Sequence, residues 1–353
     1  MNSGCRRSSV VVVLVLVGVL AAVMAAAGCA SSGGSDGSAA VNPALYPAPV
    51  KDRGYGYIDK SGTMVIQPQY SAATLFSEGL AMAGSGKYGY IDGTGKWVIA
   101  PAYDGCSPFS DGLALVMAPS GKFGYVDKAG RWVIEPNGTY SQSFSQGLAA
   151  SLVDGKYGYI DTKGKTVIQP QFADVLPFSE GLAGAASTVD GSPKYGFIDK
   201  TGAWVVQPQY DRVVAFSEGL AAVVADGKYG FIDTTGKTVI EPRYEFAEGF
   251  GSGLAPVKVG DTWGYIDKTG ATVIQPTYYW AHPFSEGLAV VEALVDGVRK
   301  YGYVDTTGKM VVEPIYSFAT PFSGGLGLVD TVVDAVRRSA YLDTSGKVVW
   351  QDE

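Results

Sequence analysis

Carboxylates recur at two fixed places along this chain, and paired carboxylates are the groups that hydrolyse glycosides or coordinate Ca²⁺. The first set lies in F-S-x-G-L motifs, at Glu78, Asp111, Glu180, Glu218 and Glu286. Other copies of the motif carry Gln146, Ser252 and Gly324 at the same position. Because the acid recurs and is replaceable, the pattern indicates a solvated turn residue rather than a tuned acid or base.

The second set of carboxylates opens D-x-x-G segments that lie between apolar runs. Its members are Asp59, Asp92, Asp127, Asp161, Asp199, Asp233, Asp267, Asp305 and Asp343. A calcium site needs six to eight oxygen ligands, whereas each of these segments supplies one carboxylate. An Asp that opens a turn bonds its own backbone, and the Gly that closes the turn accepts a positive φ. We therefore interpret this set as turn residues and predict no metal site.

The remaining reactive side chains stand alone in the sequence. His282 is the only histidine of the chain, and it lacks the partners of a triad or the fellow ligands of a zinc site. A packing role is expected for it. Cys106 is interpreted as a small apolar filler. The sequence thus predicts no catalytic residue and no cofactor, and it favours a protein that is not an enzyme.

Three tryptophans form the best candidate binding surface. Trp97, Trp132 and Trp204 occupy equivalent positions, where other copies carry Thr or Met. Tolerance for Thr indicates partial exposure, and exposed aromatic rings stack on sugars or anchor a protein partner. The alternative is cross-strand packing of the three rings on the surface of a sheet.

The element that must position all these residues is a repeat, seen clearly in residues 220–242. The apolar run from Leu220 is followed by Asp226-Gly227, a hairpin signal, and then by residues that alternate with a period of two. After the D-x-x-G turn, a third alternating run leads to Pro242, which is expected to end the strand. Each unit is therefore predicted to hold three short strands.

The spacing within the unit is constant along the chain. From each turn Asp, a Pro follows after nine residues, a Phe after eight more and a Leu after four more, in eight copies. All variation in length falls in the first hairpin, which is longest at residues 187–194, 294–300 and 332–339. The Phe is expected to fill the contact between successive units. Long hairpins along one edge of a repeat protein often form its binding face.

These motifs resemble those of the bacterial WG-repeat (KWG) family over residues 55–351. The resemblance lies in an aromatic-Gly-aromatic-(Ile/Val)-Asp-x-x-Gly pattern, although Trp263-Gly264 is the one literal Trp-Gly pair at this position. In the last copy, Ser339-Ala340-Tyr341 has lost the glycine. The resemblance implies a β-rich repeat architecture and brings no catalytic residues with it.

The predicted fold is all-β, a tandem array of three-stranded units in an open or superhelical β-solenoid. The alternative is a closed, propeller-like toroid. The chain has nine second-and-third-strand hairpins and eight Phe-to-Leu segments, and an extra terminal hairpin is what caps an open stack. The repeat domain is predicted at residues 51–353, with about eight repeats and a terminal hairpin.

The N-terminus carries the features of a secreted lipoprotein. Arg6-Arg7, an apolar run and Ala26-Ala27-Gly28-Cys29 resemble a signal peptide with a lipobox, at residues 1–28. Cys29 is the predicted lipidation site, and residues 29–50 are predicted to include a flexible tether, since they begin with small polar residues. We expect an extracytoplasmic, membrane-anchored protein of the cell envelope.

Charge and composition narrow the class of partner. The formal net charge is −7, which argues against nucleic acid as a partner. We expect a non-enzymatic, lipid-anchored β-repeat protein that presents a surface to an envelope protein or to cell-wall glycan. A cell-wall carbohydrate-binding module is one alternative. An envelope polymer hydrolase is another, but it needs a non-repeated acidic or nucleophilic cluster that the sequence does not show.

Overall fold

The computed structural model describes residues 44–138 and 142–352, and every regular element in them is a β-strand. The strands form nine antiparallel sheets, called blades 1 to 9 in chain order, and neighbours in sequence pair within each sheet. Blades 1 to 3 are β1 (Tyr46–Val50), β2 (Gly54–Ile58), β3 (Met64–Tyr70); β4 (Ala72–Ala73), β5 (Ala81–Ser85), β6 (Lys87–Ile91), β7 (Trp97–Tyr103); and β8 (Gly105–Cys106), β9 (Leu113–Met117), β10 (Phe123–Asp127), β11 (Trp132–Gly138).

Blades 4 to 9 continue the same order. They are β12 (Leu148–Val153), β13 (Lys156–Asp161), β14 (Thr166–Phe172); β15 (Asp174–Val175), β16 (Ala183–Val189), β17 (Ser192–Ile198), β18 (Trp204–Tyr210); β19 (Arg212–Val213), β20 (Leu220–Ala225), β21 (Lys228–Asp233), β22 (Thr238–Tyr244); β23 (Phe246–Ala247), β24 (Leu254–Val259), β25 (Thr262–Asp267), β26 (Thr272–Tyr278); β27 (Trp280–Ala281), β28 (Leu288–Val295), β29 (Val298–Asp305), β30 (Met310–Tyr316); and β31 (Phe318–Ala319), β32 (Leu326–Val333), β33 (Val336–Asp343), β34 (Val348–Gln351).

The predicted turns form as their residue types require. Asp226 and Gly227 both have positive φ, 50° and 71°, which is the geometry that twists a two-residue hairpin correctly. In the next turn Asp233 Oδ1 accepts hydrogen bonds from the backbone N–H of Thr235 and Lys237, at 2.9 and 3.1 Å. Gly236 closes that turn with a φ of 87°. Local sequence therefore fixes both hairpins of the unit.

The last strand of a repeat does not end at its proline, contrary to the sequence-based expectation. Strand β22 continues through Pro242 to Tyr244, and its register shifts between the pairs Phe231–Ile240 and Tyr229–Tyr244. The shift is a bulge, so the missing N–H of Pro242 costs no ladder bond. The bulge arches over Gly230, where a Cβ would lie 2.5 Å from the Ile240 carbonyl oxygen. This close approach explains the glycine of the aromatic-Gly-aromatic motif.

Most blades have four strands, one more than the predicted three. The additional strand has two residues, as in β19. It lies before the F-S-x-G-L turn and pairs with the strand that follows the turn, as β19 pairs with β20. Two residues are too few to show a period in the sequence. At the N-terminus, β1 occupies residues 46–50, within the segment 29–50 that the sequence analysis assigned to the lipidated Cys and tether.

The buried apolar side chains form nine clusters, one between each pair of neighbouring blades in the described residues. The recurring Phe lies in these contacts, as expected. Phe216, between β19 and β20 of blade 6, is 2% exposed, and its ring lies 4.6 Å from that of Phe197 in blade 5. Where the earlier blade carries Tyr, its hydroxyl also donates across the contact, as Tyr159 does to the Leu176 carbonyl at 2.7 Å.

The array closes into a nine-bladed propeller, so the prediction of an open or superhelical solenoid is wrong and its alternative, the closed toroid, is confirmed. Tyr46 and Ile58 of blade 1 pack with Leu326 and Tyr341 of blade 9. We call this contact the closing seam. Eight of the D-x-x-G glycines lie against the preceding blade, and the ninth, Gly62, lies against the Val349 backbone of blade 9. The nine hairpins are thus the nine blades, and none is an end cap.

Candidate functional site

Each F-S-x-G-L turn leads into the first long strand of its own blade and bonds to the same turn of the next blade, and its acid takes part in that contact. Ser217 Oγ donates to the Phe250 carbonyl of the next turn at 2.6 Å. Glu218 has a left-handed backbone, with φ 52°, and its carboxylate accepts from the Gly253 N–H at 3.0 Å. Lys268 Nζ lies 3.2 Å from the same carboxylate. These acids are therefore bonded between blades and are not simply solvated, which a turn motif alone does not show.

The D-x-x-G aspartates are held as turn residues. The Thr235 hydroxyl donates to Asp233 Oδ1 at 2.6 Å, and this bond, with the two backbone N–H donors, lowers the pKa of Asp233. Hydrogen bonds likewise lower the pKa of Asp59 and Asp305. Within the described ranges no group of three His, Cys, Asp or Glu side chains is placed to hold a metal ion.

The three candidate tryptophans are half-buried, and each lies in a different contact between blades. The rings of Trp97, Trp132 and Trp204 meet an aromatic ring of the preceding blade edge-on, at centroid distances of 5.6, 5.9 and 5.5 Å. Those partners are Tyr70, Tyr103 and Phe172. This geometry gives the tryptophans a packing role, and their part in binding stays a prediction.

Of the two cysteines considered in the sequence, Cys106 and Cys29, the structure describes only Cys106. Cys106 lies half-buried in β8, and burial raises the pKa of its thiol to about 12. A thiol of that pKa stays protonated at neutral pH, and the thiolate is the nucleophilic form. Cys29 lies outside the described residues, so its lipidation stays a prediction.

A cluster of acids around His282 was missed by the sequence analysis. His282 Nε2 lies 3.7 Å from Glu292 Oε1, and Glu292 is 8% exposed. Burial raises the pKa of Glu248 in the neighbouring blade, while the charge of His282 opposes that rise. The three residues are up to 44 positions apart, and a propeller contact brings them together. His282 also lies 6.5 Å from the Trp280 ring, in agreement with a packing role.

Among the first hairpins of the blades, those of blades 8 and 9 carry the most exposed apolar side chains in the described residues, and a further exposed valine lies on the last strand of eight blades, as Val65 does. Strands β28, β29, β32 and β33 have eight residues each, so the added residues lengthen the hairpin arms and leave two-residue turns. Blades 4, 5 and 7 each present one exposed Val before the turn, whereas these two hairpins present five apolar side chains. We call them the apolar rim: Leu294, Val295, Val298, Val332 and Val333.

Arginines accompany the apolar rim on an otherwise acidic protein. Arg299 lies over the Tyr279 ring at 4.5 Å and donates to its hydroxyl at 2.8 Å. Arg337 forms an ion pair with the buried Asp330, which also accepts from Ser339 Oγ at 2.6 Å. Arg338 is exposed and makes no ion pair in the described part of the chain. The rim therefore combines apolar tips with basic flanks.

Two cavities lie on opposite sides of the end of blade 9. The larger, about 460 Å³, is lined by Val50, Lys51, Arg53 and Met64 of blade 1 and by Trp350. The smaller, about 180 Å³, lies toward blade 8 and is lined by Ile315 and Arg338 among others. Gln351 and Asp352 line both cavities. Thr331 and Arg338 of the blade 9 hairpin line the smaller cavity, so that cavity and part of the apolar rim share one hairpin.

The repeat units match a known family along most of the chain. The WG containing repeat matches residues 55–84, 88–118, 123–157, 157–185, 195–229, 229–263, 263–293 and 301–330. The chain belongs to the WG containing repeat family. These eight repeats begin at or near the aromatic-Gly pair of blades 1 to 8, and blade 9, which has Ala340 in place of the glycine, lies beyond the last of them.

Three solved structures resemble this WG-repeat chain remotely. BamB from Moraxella catarrhalis is 16% identical with a TM-score of 0.37, and the match covers 86% of this chain and 92% of BamB. The dihydro-heme d1 dehydrogenase NirN is 10% identical with a TM-score of 0.44, over 88% and 72% of the two chains. The tricorn protease is 12% identical with a TM-score of 0.25, over 86% and 39%. No curated protein matches this chain.

The part of the chain that the structure describes contains no helix of the length and apolarity that a membrane span requires.

Proposed function

We propose that this protein is a non-enzymatic, lipid-anchored component of the bacterial cell envelope that binds a protein partner through the apolar rim. The observation that carries the proposal is the exposure of Leu294, Val298, Val332 and Val333, at 55, 56, 56 and 53%. A contiguous exposed apolar patch on a soluble surface marks an interaction site. The N-terminal motif ending at Cys29 supports the anchor.

A protein fits the rim better than a lipid bilayer does. The tips of the two hairpins carry Asp296 and Asp334, each with positive φ at the turn. Insertion of the flanking valines into a membrane would carry these carboxylates into hydrocarbon, which is costly for a charged group. At a protein interface the same carboxylates stay at a polar rim around an apolar centre.

Binding without catalysis is consistent with the acids of the chain. The acids of both repeated motifs bond to backbone N–H groups, as Glu218 and Asp233 do. Glu248 and Glu292 flank a histidine, but neither of the two cavities beside blade 9 includes them. The repeated acids therefore have structural partners, which supports a binding role for this protein.

Pull-down from solubilised envelopes with the purified mature protein tests the rim. Leu294→Ser/Val298→Ser and Val332→Ser/Val333→Ser are expected to weaken capture of a discrete protein about tenfold or more, a loss of about 1.4 kcal/mol or more. The matched control is Val153→Ser/Val259→Ser, which changes valines of similar exposure, 47 and 48%, on the hairpins of blades 4 and 7. Equal capture by all three double variants would contradict the proposal.

The same purified protein can be used to distinguish binding of cell-wall glycan from binding of a protein partner. Retention on isolated cell-wall polymer, competed by soluble glycan and lost with Trp97→Ala, Trp132→Ala and Trp204→Ala, would replace the protein partner by a carbohydrate. Substitution Cys29→Ala tests the anchor, because it removes the acylated residue. The variant is expected in the soluble fraction without incorporated palmitate, and membrane retention at the wild-type level would overturn the anchor.

A further inference from the structure

The long hairpin arms of blades 8 and 9 are neighbours in the propeller. Their strands have eight residues each, against six in β24 and β25 of blade 7, so they extend about 7 Å farther. Blade 5 also has a long hairpin, but it carries Ser187, Thr188 and Pro193, and the facing strands of blades 4 and 6 are short. Within the described residues, two long arms lie side by side only between blades 8 and 9.

The buried part of this seam shows which way the side chains of the two arms point. Leu288 and Val290 of blade 8 pack with Val329 of blade 9 in one cluster. Side chains alternate along a strand, so Leu294 points toward blade 9 as Leu288 does. For the same reason Val333 points toward blade 8 as Val329 does. Two residues of the apolar rim therefore face each other across the seam.

The other three residues of the apolar rim point outward. Val295 and Val298 pair directly in their ladder and point toward blade 7. Val332 follows the opposite alternation to Val333 and points toward blade 1. The rim is thus divided into a facing pair and an outward set, which the exposure of its residues alone does not show.

The seam between blades 8 and 9 is closed below the arms and open between them. Val290 and Val329 are 1% and 0% exposed, whereas Leu294 and Val333 are 55% and 53% exposed. We call the space between Leu294 and Val333 the arm cleft. Ile315 of blade 8, 59% exposed, lies beside it, since it lines the smaller cavity with residues of the blade 9 arm. An apolar side chain that enters the arm cleft contacts both arms at once.

Positive charge lies on both facing sides of the arm cleft. Arg299 pairs with Leu294 and Arg338 pairs with Thr331, and residues that pair directly across two strands point to the same face. Arg299 is held over the Tyr279 ring, whereas Arg338 is exposed and makes no ion pair among the described residues. Arg338 is therefore the cation that a partner carboxylate can reach.

The acids of the two arms are placed elsewhere. Glu292 is 8% exposed, in the closed part of the seam. Asp330 lies on the side toward blade 1 and pairs with Arg337. Asp296 and Asp334 lie at the hairpin turns. The facing sides of the arms thus combine an apolar gap with an unpaired arginine, and complementary charge selects an acidic partner.

We propose that the arm cleft takes an apolar and acidic segment of the protein partner. A large apolar side chain of the segment lies between Leu294 and Val333, and an adjacent Asp or Glu pairs with Arg338. This inference rests on the proposed function and names the chemistry of its partner. A central apolar anchor carries much of the energy of such an interface, and the charged pair fixes the register of the segment.

A phage-displayed library of random twelve-residue peptides tests the proposal, selected on the mature protein immobilised through its N-terminal segment. Enriched peptides are expected to carry a large apolar residue next to Asp or Glu. They are expected to bind Leu294→Ser/Val333→Ser about tenfold or more weakly than wild type. The matched comparison is Val298→Ser/Val332→Ser, which changes two outward valines that are 56% exposed. This variant is expected to weaken binding less than about threefold.

Charge reversal gives a second readout. Arg338→Glu is expected to weaken the same peptides about tenfold, whereas Lys228→Glu, at an exposed lysine on the blade 6 hairpin, leaves them unaffected. The proposal is overturned if no peptide is enriched, if enriched peptides lack acidic residues, or if the two double variants bind them equally.

Capture of a protein from solubilised envelopes separates this inference from the proposed function. Loss of capture in the facing variant, Leu294→Ser/Val333→Ser, with a smaller loss in the outward variant supports both. Equal loss in the two double variants would leave the proposed function standing and remove this inference alone. Undiminished capture by both variants would remove the two together.

Discussion

The seam between blades 1 and 2 and the closing seam between blades 9 and 1 make the same kind of contact by different means. In the first, Gly95 lies on the Ile66 side chain and Tyr70 packs on Trp97. In the closing seam, Gly62 lies against the Val349 backbone, and Met64, which stands where Trp97 stands in blade 2, lines a cavity of about 460 Å³. Repeated contacts hold neighbouring blades together along the propeller. The closing seam differs from the other seams in contacts that occur only there.

The closing seam has the tyrosine-to-carbonyl bond of other seams, made by Tyr341, and two hydrogen bonds that occur once in the described residues. Tyr46 donates to the Gly324 carbonyl, Tyr341 donates to the Pro47 carbonyl at 3.0 Å, and the Lys51 N–H donates to Asp352 Oδ2 at 3.0 Å. The ring therefore closes between the first and last blades without a strand shared between them.

The largest expected effect lies in a repeated seam. Phe216→Ala removes a ring that is 2% exposed, and a buried Phe→Ala change lowers the free energy of unfolding by about 3–5 kcal/mol. Phe318→Ala, at a ring 38% exposed beside the apolar rim, is expected to cost less than about 1 kcal/mol. Urea unfolding of both variants checks this, and equal losses would show that position in a seam does not decide stability.

A second comparison concerns the bulge that arches over the glycine of the aromatic-Gly-aromatic motif. Gly230→Ala places a Cβ 2.5 Å from the Ile240 carbonyl oxygen and 2.6 Å from the Pro242 nitrogen, so the arch must shift. We expect a loss of about 3 kcal/mol. Blade 9 has no arch, because Ala340 pairs with Gln351 in a regular ladder, and Ala340→Gly is expected to cost about 0.5–1 kcal/mol. Thermal unfolding distinguishes them, and a tolerated Gly230→Ala would refute the account of the motif.

Much of the fold could be predicted from the sequence because it depends on the residue types of short local segments. Asp226-Gly227 predicted a hairpin, Asp233 and Gly236 predicted a turn, and the constant spacing of Phe216 predicted a seam. The closure of the propeller between blades 9 and 1 could not be predicted in this way. It depends on Tyr46 and Lys51 meeting residues 278 and 301 positions away. No periodic pattern encodes bonds that occur once, so the count of hairpins was read as a capped stack.

The candidate surface was predicted only in part. The long hairpins at residues 294–300 and 332–339 were expected to form a binding edge, since insertions there do not disturb the stacking of units. The cavity beside Met64 was not expected, because the repeat pattern does not show how the first and last blades meet. The acids around His282 were missed for a related reason, as Glu248 and Glu292 belong to different blades.

A smaller effect on stability is expected at the F-S-x-G-L turns, which bond to each other between neighbouring blades. Glu286 accepts from both Gly324 N–H and Gly325 N–H, at 2.6 and 2.7 Å, whereas Ser252 offers one hydroxyl at 3.3 Å. Glu286→Ala should lower the free energy of unfolding by about 1 kcal/mol, since the carboxylate is exposed to solvent, and Ser252→Ala by a few tenths. Urea unfolding checks the difference. A loss from Ser252→Ala as large as that from Glu286→Ala would argue against a bridging role for the acids.

The smallest expected effect is electrostatic and belongs to a single turn. The Thr235 hydroxyl is the main cause of the lowered pKa of Asp233, so Thr235→Val should raise that pKa toward its ordinary value of about 4. Because the folded pKa lies below the unfolded one, the stabilisation is present above the unfolded pKa and is lost as pH falls through the folded pKa. Carboxyl NMR titration measures the shift. Thr234→Val, which leaves the bonds to Asp233 intact, is the control, and an equal shift in both variants would mean that the hydroxyl does not set the pKa.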